Sequence, residues 1–368
     1  MIGLSQRPQL PSLPARVEAI DLARGIAIAL MILSHTVSGL LGIREVPDWG
    51  MVPIHLFTKF SSSLFILVFG IALAVAFLPK VGTPDWPRRR RKLVLRGLEV
   101  LFWYKALTIV EMLPLFPPPD ILATLLYQRF AIWVEILGFY ALALLWLPWV
   151  LPLWCRMPLW SRLLVPVAVG VISVLLERHF HFWGSVILKA LLVEDVDHYT
   201  WGQLARLPLV MAGLLIGEAV LRWYGEPATR RRLMACLAGM GTLFLAGFAV
   251  LAWPDGHEAL LAVAWNVGKH PPEVPFMLFS TGGALVILAL CLLGGRRAAT
   301  WLAPFTVIGG DALRAFIFHI VAIFLVLRLL FGAWQVYSYP QVLAIAVGLI
   351  LLTAGWIALV RRFRELSR

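Results

Sequence analysis

Repeated runs of about 20 apolar residues are the feature that most limits how this chain can fold. A hydrocarbon core of roughly 30 Å requires a helix of that length, and backbone groups in lipid must find their hydrogen-bond partners within the segment itself. The 368 residues are 61% hydrophobic and only 14% charged, unlike a soluble globular domain. The sequence therefore predicts an all-α, polytopic integral membrane protein.

Ten segments have the length and apolar character of membrane spans. The fifth is short and precedes an aromatic stretch, so a re-entrant or interfacial helix is an alternative there. The ninth contains Gly309-Gly310 and is expected to kink or break at that point. One transmembrane domain is predicted over residues 17–361, with tails at 1–16 and 362–368. The ten spans are 18–41, 60–79, 93–112, 130–148, 161–177, 203–221, 233–252, 275–294, 301–330 and 341–360.

The charged loop residues are distributed unevenly between the two sides of the predicted membrane. Most of the 32 basic residues fall on the N-terminal side, whereas the opposite side carries most of the loop acids. By the positive-inside rule, both termini are predicted to be cytoplasmic. A net charge of +12 also raises nucleic acid as a partner, but this distribution follows from membrane topology, so the lipid bilayer is the expected partner and nucleic acid is not.

Several other classes of protein are excluded because their motifs are missing. The chain has no Walker phosphate loop, no G-x-G-x-x-G turn, no G-x-S-x-G elbow and no H-E-x-x-H zinc motif. Its three cysteines lie in or near different spans, which indicates packing residues, and no metal is expected. The first apolar segment is too long for a cleaved signal peptide, so it is expected to remain as a helix.

The first span, EAIDLARGIAIALMILSHTVSGLL, carries three ionisable residues on one face. At about 100° per residue, Arg24 and His35 differ by roughly 20° around the helix, and Asp21 lies one turn before Arg24. A rise of about 1.5 Å per residue puts His35 about 16 Å nearer the outer side. Ionisable residues inside a membrane are costly and indicate function. The alternative is an Asp21–Arg24 pair near the surface, with His35 snorkelling at the far end.

The ninth span, in the stretch GGDALRAFIFHIVAIFL, repeats this pattern. Asp311 and Arg314 are again three residues apart, and His319 is as far from the start of its span as His35 is from the start of the first. Two histidines at the same depth are what two helices facing a shared cavity require. The alternative is that His319 merely bonds to a carbonyl group of a neighbouring helix.

Three further candidate residues lie elsewhere. Glu135, in the fourth span, is the most deeply placed acid. Lys269 and His270 follow Asn266 in an outer loop, and this cluster suits an anionic or sugar acceptor, although an ordinary loop is an equal alternative.

The arginine and histidine of DLARGIAIALMILSH, eleven residues apart, resemble the first-helix motif of the transmembrane acyltransferase superfamily. This superfamily includes the acyltransferase-3 group and the heparan-alpha-glucosaminide N-acetyltransferase group, and RVEAIDLARGIAIALMIL is similar to the latter. FSSSLFILVFGIALAVA, RRRRKLVLRGLEVLF and IGGDALRAFIFH resemble its second, third and late helices, in order. Two positions depart from the family pattern, because Phe69 and Phe316 stand where the family has a serine and a tyrosine.

The resemblance implies an enzyme that moves an acyl group, most simply acetyl, from cytoplasmic acyl-CoA to a hydroxyl or amine of a glycan or lipid. The acceptor would lie at the outer face of a bacterial cytoplasmic (inner) membrane. Arg24 would hold the thioester carbonyl or the pantetheine phosphate, oriented by Asp21, and His35 would be the general base or a transient acyl carrier. The Arg88–Lys92 cluster would attract the nucleotide phosphates. The passage for acyl-CoA or acceptor would be lined by His319, Arg314, Asp311, Glu135, Lys269 and His270.

Two rival functions use the same polar residues. A transporter or flippase for a lipid-linked or acidic solute would use them as a translocation path and would have two related halves. A catalytically idle membrane subunit of a larger complex is the other rival, and the departures at Phe69 and Phe316 favour it. A homodimer or a membrane complex is compatible with each function.

Overall fold

The computed structural model describes residues 17–46, 52–113, 115–198 and 200–367, and in these ranges the regular structure is helical apart from two isolated bridges. The helices are α1 Glu18–Leu40, α2 Val52–Thr58, α3 Phe60–Phe77, α4 Trp86–Met112, α5 Pro118–Leu125, α6 Glu135–Arg156, α7 Leu159–His179, α8 Val186–Val193, α9 Gln203–Trp223, α10 Pro227–Ala252, α11 His257–Ala264, α12 Val274–Trp301, α13 Ala303–Gly309, α14 Ala312–Ile320 and α15 Tyr339–Leu366.

Nine helices of the described chain are long and apolar enough to cross a membrane. They confirm a polytopic membrane protein and match nine of the ten predicted spans. The remaining one is the third predicted span, 93–112, which lies in α4; this helix has 27 residues but also carries Glu99, Lys105 and Glu111. The orientation of the termini stays a prediction.

The fifth predicted span forms a full helix, α7, of 21 residues. Only 11% of its most apolar window is buried against the rest of the protein. Its apolar side chains therefore face outward, as expected for a helix in contact with lipid. The aromatic stretch after it forms a short turn of helix at Phe182–Gly184 and then α8, so the short irregular segment follows the span and does not replace it.

α1 lies at the centre of the bundle, packed against α3, α12, α13 and α15. Glycines allow its backbone to touch that of α13. A Cβ atom on Gly25 would lie 1.7 Å from the Phe305 carbonyl oxygen, and one on Gly309 would lie 1.8 Å from the Asp21 carbonyl oxygen. Only glycine fits at both positions, because each Cβ would overlap a backbone atom of the other helix.

The ninth predicted span is broken at Gly309-Gly310, as its sequence predicts. α13 ends at Gly309, and α14 starts again at Ala312. The helix then continues with wide π-helical turns over Val321–Leu330, directly after His319. Such turns are rare in proteins, and those that occur are often at functional sites. The break leaves the carbonyl group of Gly309 available to a side chain of α1.

Candidate functional site

His35 and His319 meet in the middle of the bundle, as their matching depths predict. His35 Nδ1 lies 3.2 Å from His319 Nε2, and His319 Nδ1 lies 2.9 Å from the carbonyl oxygen of Ala315, one turn earlier in α14. A carbonyl oxygen only accepts, so His319 Nδ1 carries the proton. In the neutral pair His319 Nε2 is therefore an acceptor, and His35 Nδ1 donates to it. The proton positions follow from the network, which leaves the lone pair on His35 Nε2.

A polar cavity of about 240 Å³ opens beside His35. Because His35 Nδ1 is engaged by His319, Nε2 is the nitrogen available to a molecule in this cavity. The polar cavity lies toward the C-terminal end of α1 and the start of α3. Its lining is Met31, Ser34, His35, Ser38, Thr58, Lys59, Ser61, Ser62, Ile132, Trp133, Ile136, Trp201, Asn266 and Lys269.

Trp133 fixes the position of the His35 ring. The two rings meet edge to face with centroids 5.3 Å apart, a favourable aromatic geometry. The backbone at Ile132 and Trp133, just before α6, is held in turn by Glu111 of α4. Glu111 Oε1 accepts hydrogen bonds from the N–H groups of Ile132 (2.8 Å) and Trp133 (3.1 Å). The buried Glu111 carboxylate thus positions one wall of the polar cavity.

An apolar cavity of about 670 Å³ opens at the opposite end of the bundle, near the start of α1 and α4. Phe316 connects it to the histidine pair, because its ring lines this cavity and lies 6.3 Å from the ring of His35 and 4.9 Å from that of His319. The apolar cavity is lined by Arg24, Phe65, Phe69, Ala72, Leu73, Ala76, Phe77, Lys92, Leu93, Leu95, Arg96, Glu99, Val100, Leu137, Tyr140, Leu144, Gly310, Asp311, Ala312, Leu313 and Phe316.

Arg24 is held at the wall of the apolar cavity by two contacts. Its Nη1 donates to Asp21 Oδ1 at 3.2 Å and to the carbonyl oxygen of Gly309 at 2.9 Å. The second bond uses the carbonyl group at the end of α13. Asp21 and Arg24 therefore pair, as the surface alternative also predicts, but the arginine lies against a cavity and not in open solvent.

Tyr140 lines the apolar cavity. Its ring packs edge to face on Phe69, with centroids 4.6 Å apart. The Tyr140 hydroxyl is buried and has no hydrogen-bond partner within the described part of the chain. A buried hydroxyl without a partner is costly, and such a group calls for an explanation.

A basic cavity of about 490 Å³ adjoins the apolar cavity and is lined by Asp85, Arg88, Arg89, Arg91, Lys92 and Leu95. Lys92 and Leu95 line both cavities. The predicted Arg88–Lys92 cluster thus forms one continuous surface with the cavity that contains Arg24.

The remaining predicted residues fall in three places. Asp311 lines the apolar cavity and accepts a hydrogen bond from Arg314 at 2.5 Å, so Arg314 acts on the cavity only through Asp311. Glu135 lines neither cavity; its Oε1 accepts a hydrogen bond from the Tyr104 hydroxyl at 2.7 Å. The Lys105 ammonium lies 3.3 Å from the centroid of the Tyr127 ring.

Lys269 and His270 are neighbours with separate surroundings. Lys269 lines the polar cavity, whereas His270 Nδ1 donates to Glu194 Oε2 at 2.8 Å behind it. Glu194 is also held by Arg206, through Nε at 2.6 Å and Nη2 at 3.0 Å. Arg206 in turn donates to the carbonyl oxygen of Lys269, so this buried pair braces the loop that carries Lys269.

The charges of this loop perturb one another. Burial lowers the pKa of the Lys269 ammonium to about 7; Arg206 adds to the shift and Glu194 opposes it. Burial also lowers the pKa of His270 to about 4, although Glu194 opposes this shift. Burial alone raises the pKa of Glu194, but Arg206 and His270 outweigh it, so that pKa lies below its usual value. Glu194 is therefore a carboxylate.

Sequence reasoning did not single out Lys59, Tyr140 or Trp133. Lys59 has the one recognisable signal, since a lysine followed by Ser61, Ser62 and Ser63 at the start of an apolar span is unusual. The other two are ordinary residues of apolar segments, and only the packing of the helices brings them to the site.

Comparison with known families finds one match. Residues 16–249 match the family model described as heparan-alpha-glucosaminide N-acetyltransferase, catalytic. The matched region includes α1, the basic start of α4 and Tyr140, and it ends before the loop of Lys269 and before His319. Comparison with curated proteins finds no match. Among the described residues, no group of three histidine, cysteine, aspartate or glutamate side chains has an arrangement that could hold a metal ion.

Proposed function

Because the chain belongs to the heparan-alpha-glucosaminide N-acetyltransferase catalytic family and is a membrane acyltransferase, we propose that it moves an acyl group, most simply acetyl, from acyl-CoA to a hydroxyl or amine of a glycan or lipid. The observation that carries this proposal is the His35–His319 pair, which lies between a polar cavity and an apolar cavity at opposite ends of the bundle. With the predicted orientation, the acyl group leaves the cytoplasm and reaches an acceptor at the outer face of the cytoplasmic membrane.

The donor binds on the side of the apolar cavity. The basic cavity at Arg88, Arg89 and Arg91 supplies charge-assisted donors for the nucleotide phosphates of CoA. Lys92 lies where the two cavities join, and the apolar walls beyond it suit the uncharged pantetheine arm. The thioester then lies among Arg24, Tyr140 and Phe316.

Tyr140 and Arg24 stabilise the negative charge that develops on the thioester carbonyl oxygen during attack. The Tyr140 hydroxyl is a buried donor without a protein partner among the described residues. Arg24 is fixed by Asp21 and Gly309, so neither donor has to be reorganised at the moment of reaction. Donors arranged in advance around a developing oxyanion are a major source of rate enhancement.

His35 is the base in this scheme. The acceptor hydroxyl or amine gives its proton to His35 Nε2 as its oxygen or nitrogen bonds to the acyl carbon. The C–S bond breaks and CoA leaves as a thiolate, which takes up a proton from solvent, while His35 releases the proton that it accepted, so atoms and charges balance. His319 accepts from His35 Nδ1 and thereby keeps the lone pair on Nε2. This division of roles gives the two predicted histidines different tasks.

A reconstituted transfer assay tests the proposal. The full chain in lipid nanodiscs is given acetyl-CoA and, in separate reactions, glucosamine and glucuronate, which together offer hydroxyl groups, an amine and a carboxylate. Free CoA and acetylated sugar are measured. His35→Ala is expected to lower both by roughly 10²-fold or more. His181→Ala, at an exposed histidine of the loop after α7, is the control. Wild-type turnover in His35→Ala, or no CoA release by the wild-type protein, contradicts the proposal.

A further inference from the structure

Lys59 is a buried lysine in the polar cavity. Its residue is only 4% exposed, and its ammonium donates one hydrogen bond, at 2.8 Å, to the side-chain oxygen of Asn266. Within the described residues, no carboxylate lies within 4 Å of this ammonium. Burying a charge without an ionic partner is expensive. The neutral amide oxygen of Asn266 accepts from one of the three N–H donors of an ammonium, and it carries no charge to balance that of the ammonium.

Lys269 lines the same cavity. The residues that line the polar cavity include both lysines and no aspartate or glutamate. Glu194, behind Lys269, is bound through two oxygens by Arg206. A negatively charged group placed between the two lysines favours their ammonium forms and is stabilised by both.

The other lining groups suit an oxygen-rich ligand. The hydroxyls of Ser34, Ser38, Ser61 and Ser62 surround the same space, with Trp133 and Trp201 as flat apolar walls. At about 240 Å³ the cavity is smaller than the roughly 300 to 1,000 Å³ of pockets that enclose drug-sized ligands. It therefore takes the end of an acceptor and not a long stretch of chain.

We propose that the polar cavity selects an acceptor with an anionic oxygen group, a carboxylate or a phosphate, which is bound by Lys59 and Lys269 while the nucleophile faces His35. This inference rests on the proposed transfer to an acceptor in the same cavity. It names the acceptor by charge: an acidic sugar, or the phosphate-bearing end of a glycan or lipid. Asn266 orients Lys59, and the Arg206–Glu194 pair orients the loop of Lys269.

Binding of three matched sugars to the full chain in nanodiscs tests the inference. The probes are glucose, glucuronate and glucose 6-phosphate, which share one ring and differ in charge, and affinity is measured calorimetrically. The wild-type protein is expected to bind at least one anionic sugar about tenfold or more tightly than glucose. Preference for glucuronate identifies a carboxylate site, and preference for glucose 6-phosphate identifies a phosphate site. Equal affinity for all three overturns the inference.

Substitutions of the lysines identify the groups responsible. Lys59→Met and Lys269→Met are each expected to reduce the anionic preference about tenfold, whereas Lys80→Met, at an exposed lysine that lines neither cavity, keeps it. A lysine retained for ligand binding is not needed for folding, so the unliganded Lys59→Met protein is expected to unfold at the same temperature or higher. Unchanged preference in both lysine variants overturns the inference.

The binding result and the transfer result are separate. If CoA is released from acetyl-CoA without any preference for an anionic sugar, the inference fails and the proposed function stands. If anionic sugars bind through Lys59 but no CoA is released, the anion site stands and the proposed acyl transfer fails.

Discussion

At the scale of residues, one carbonyl group sets the direction of the hydrogen bond between the two histidines. The Ala315 carbonyl fixes the proton on His319 Nδ1, and this in turn makes His319 Nε2 the acceptor for His35. His319 is completely buried, whereas His35 lines the polar cavity. The two histidines are therefore not interchangeable. In the proposed reaction His35 meets the acceptor, and His319 positions His35.

Replacing His319 with alanine is expected to lower kcat while leaving the KM for acetyl-CoA unchanged. His35 loses the acceptor that fixes its tautomer, so only part of the protein has a lone pair on Nε2, and the pH profile of kcat shifts. The loss is expected to be smaller than that of His35→Ala, because the base itself remains. Steady-state kinetics of the two variants over a range of pH measure this. Equal losses in both variants would mean that His319 does more than position His35.

The Tyr140 hydroxyl gives a second prediction at this scale. Tyr140→Phe is expected to lower kcat by roughly 10²-fold, the typical cost of one oxyanion donor. The thermal unfolding temperature should not fall, since the hydroxyl has no hydrogen-bond partner among the described residues. Tyr127→Phe is the matched control, because its hydroxyl is also buried without such a partner but lines neither cavity. A normal kcat with Tyr140→Phe removes the tyrosine from the mechanism.

At the scale of elements, the contact between α1 and α13 determines where Arg24 lies. The two backbones touch at Gly25 and Gly309, and the interrupted helix offers the Gly309 carbonyl group to Arg24. A continuous helix at this point would use that carbonyl group within its own ladder of hydrogen bonds. The double glycine thus serves both the close packing and the orientation of the arginine.

Gly309→Ala tests this contact. The added Cβ would lie 1.8 Å from the Asp21 carbonyl oxygen, so the helices must separate, and the expected loss of stability is roughly 1–3 kcal/mol. Activity should fall further than the loss of folded protein explains, because Arg24 moves with the contact. Gly355→Ala in α15 is the control, since a Cβ there has no atom within 4 Å. The unfolding temperature of each variant is measured in nanodiscs. Similar unfolding temperatures for Gly309→Ala and Gly355→Ala would show that the helices tolerate the added methyl group.

At the scale of the whole molecule, the spans were predictable and the cavities were not. Apolar runs define their own helices whatever their neighbours are, and Gly309-Gly310 indicates a break by itself. The face shared by Arg24 and His35 follows from helical geometry alone. The cavities need α1, α3, α4, α6 and α14 in contact, and single residues such as Tyr140 and Trp133 carry no local sign of that contact. For the same reason Glu135 was expected in the passage, whereas it lies against Tyr104.

The pH dependence of anion binding is a prediction for the assembled molecule, because the pKa of Lys269 depends on burial and on Arg206 and Glu194. With a pKa of about 7, Lys269 is charged below neutral pH and loses its charge above it. The affinity for the anionic sugar is therefore expected to fall as the pH rises from 6 to 9, with a midpoint above 7 because a bound anion favours the ammonium. Lys269→Met should reduce this slope. A wild-type affinity independent of pH in this range contradicts the assignment.

The same residue affects stability in the opposite direction. The unfolded chain keeps the lysine protonated up to its ordinary pKa near 10.5, while the folded protein releases the proton near 7. Between these values the unfolded state binds more protons, so this lysine makes the free energy of unfolding rise with pH. Lys269 thus favours ligand binding at the lower pH at which it destabilises the unliganded protein most.

The polar cavity and the apolar cavity share no lining residue, and the rings of Phe316, His35 and Trp133 lie where they approach each other. This arrangement has a consequence for the energetics of the cell. A membrane enzyme that opened a water-filled passage for CoA would also conduct protons and sodium ions and would dissipate the ion gradient. In the proposed reaction, an acyl group would cross this aromatic partition without a water-filled passage for CoA.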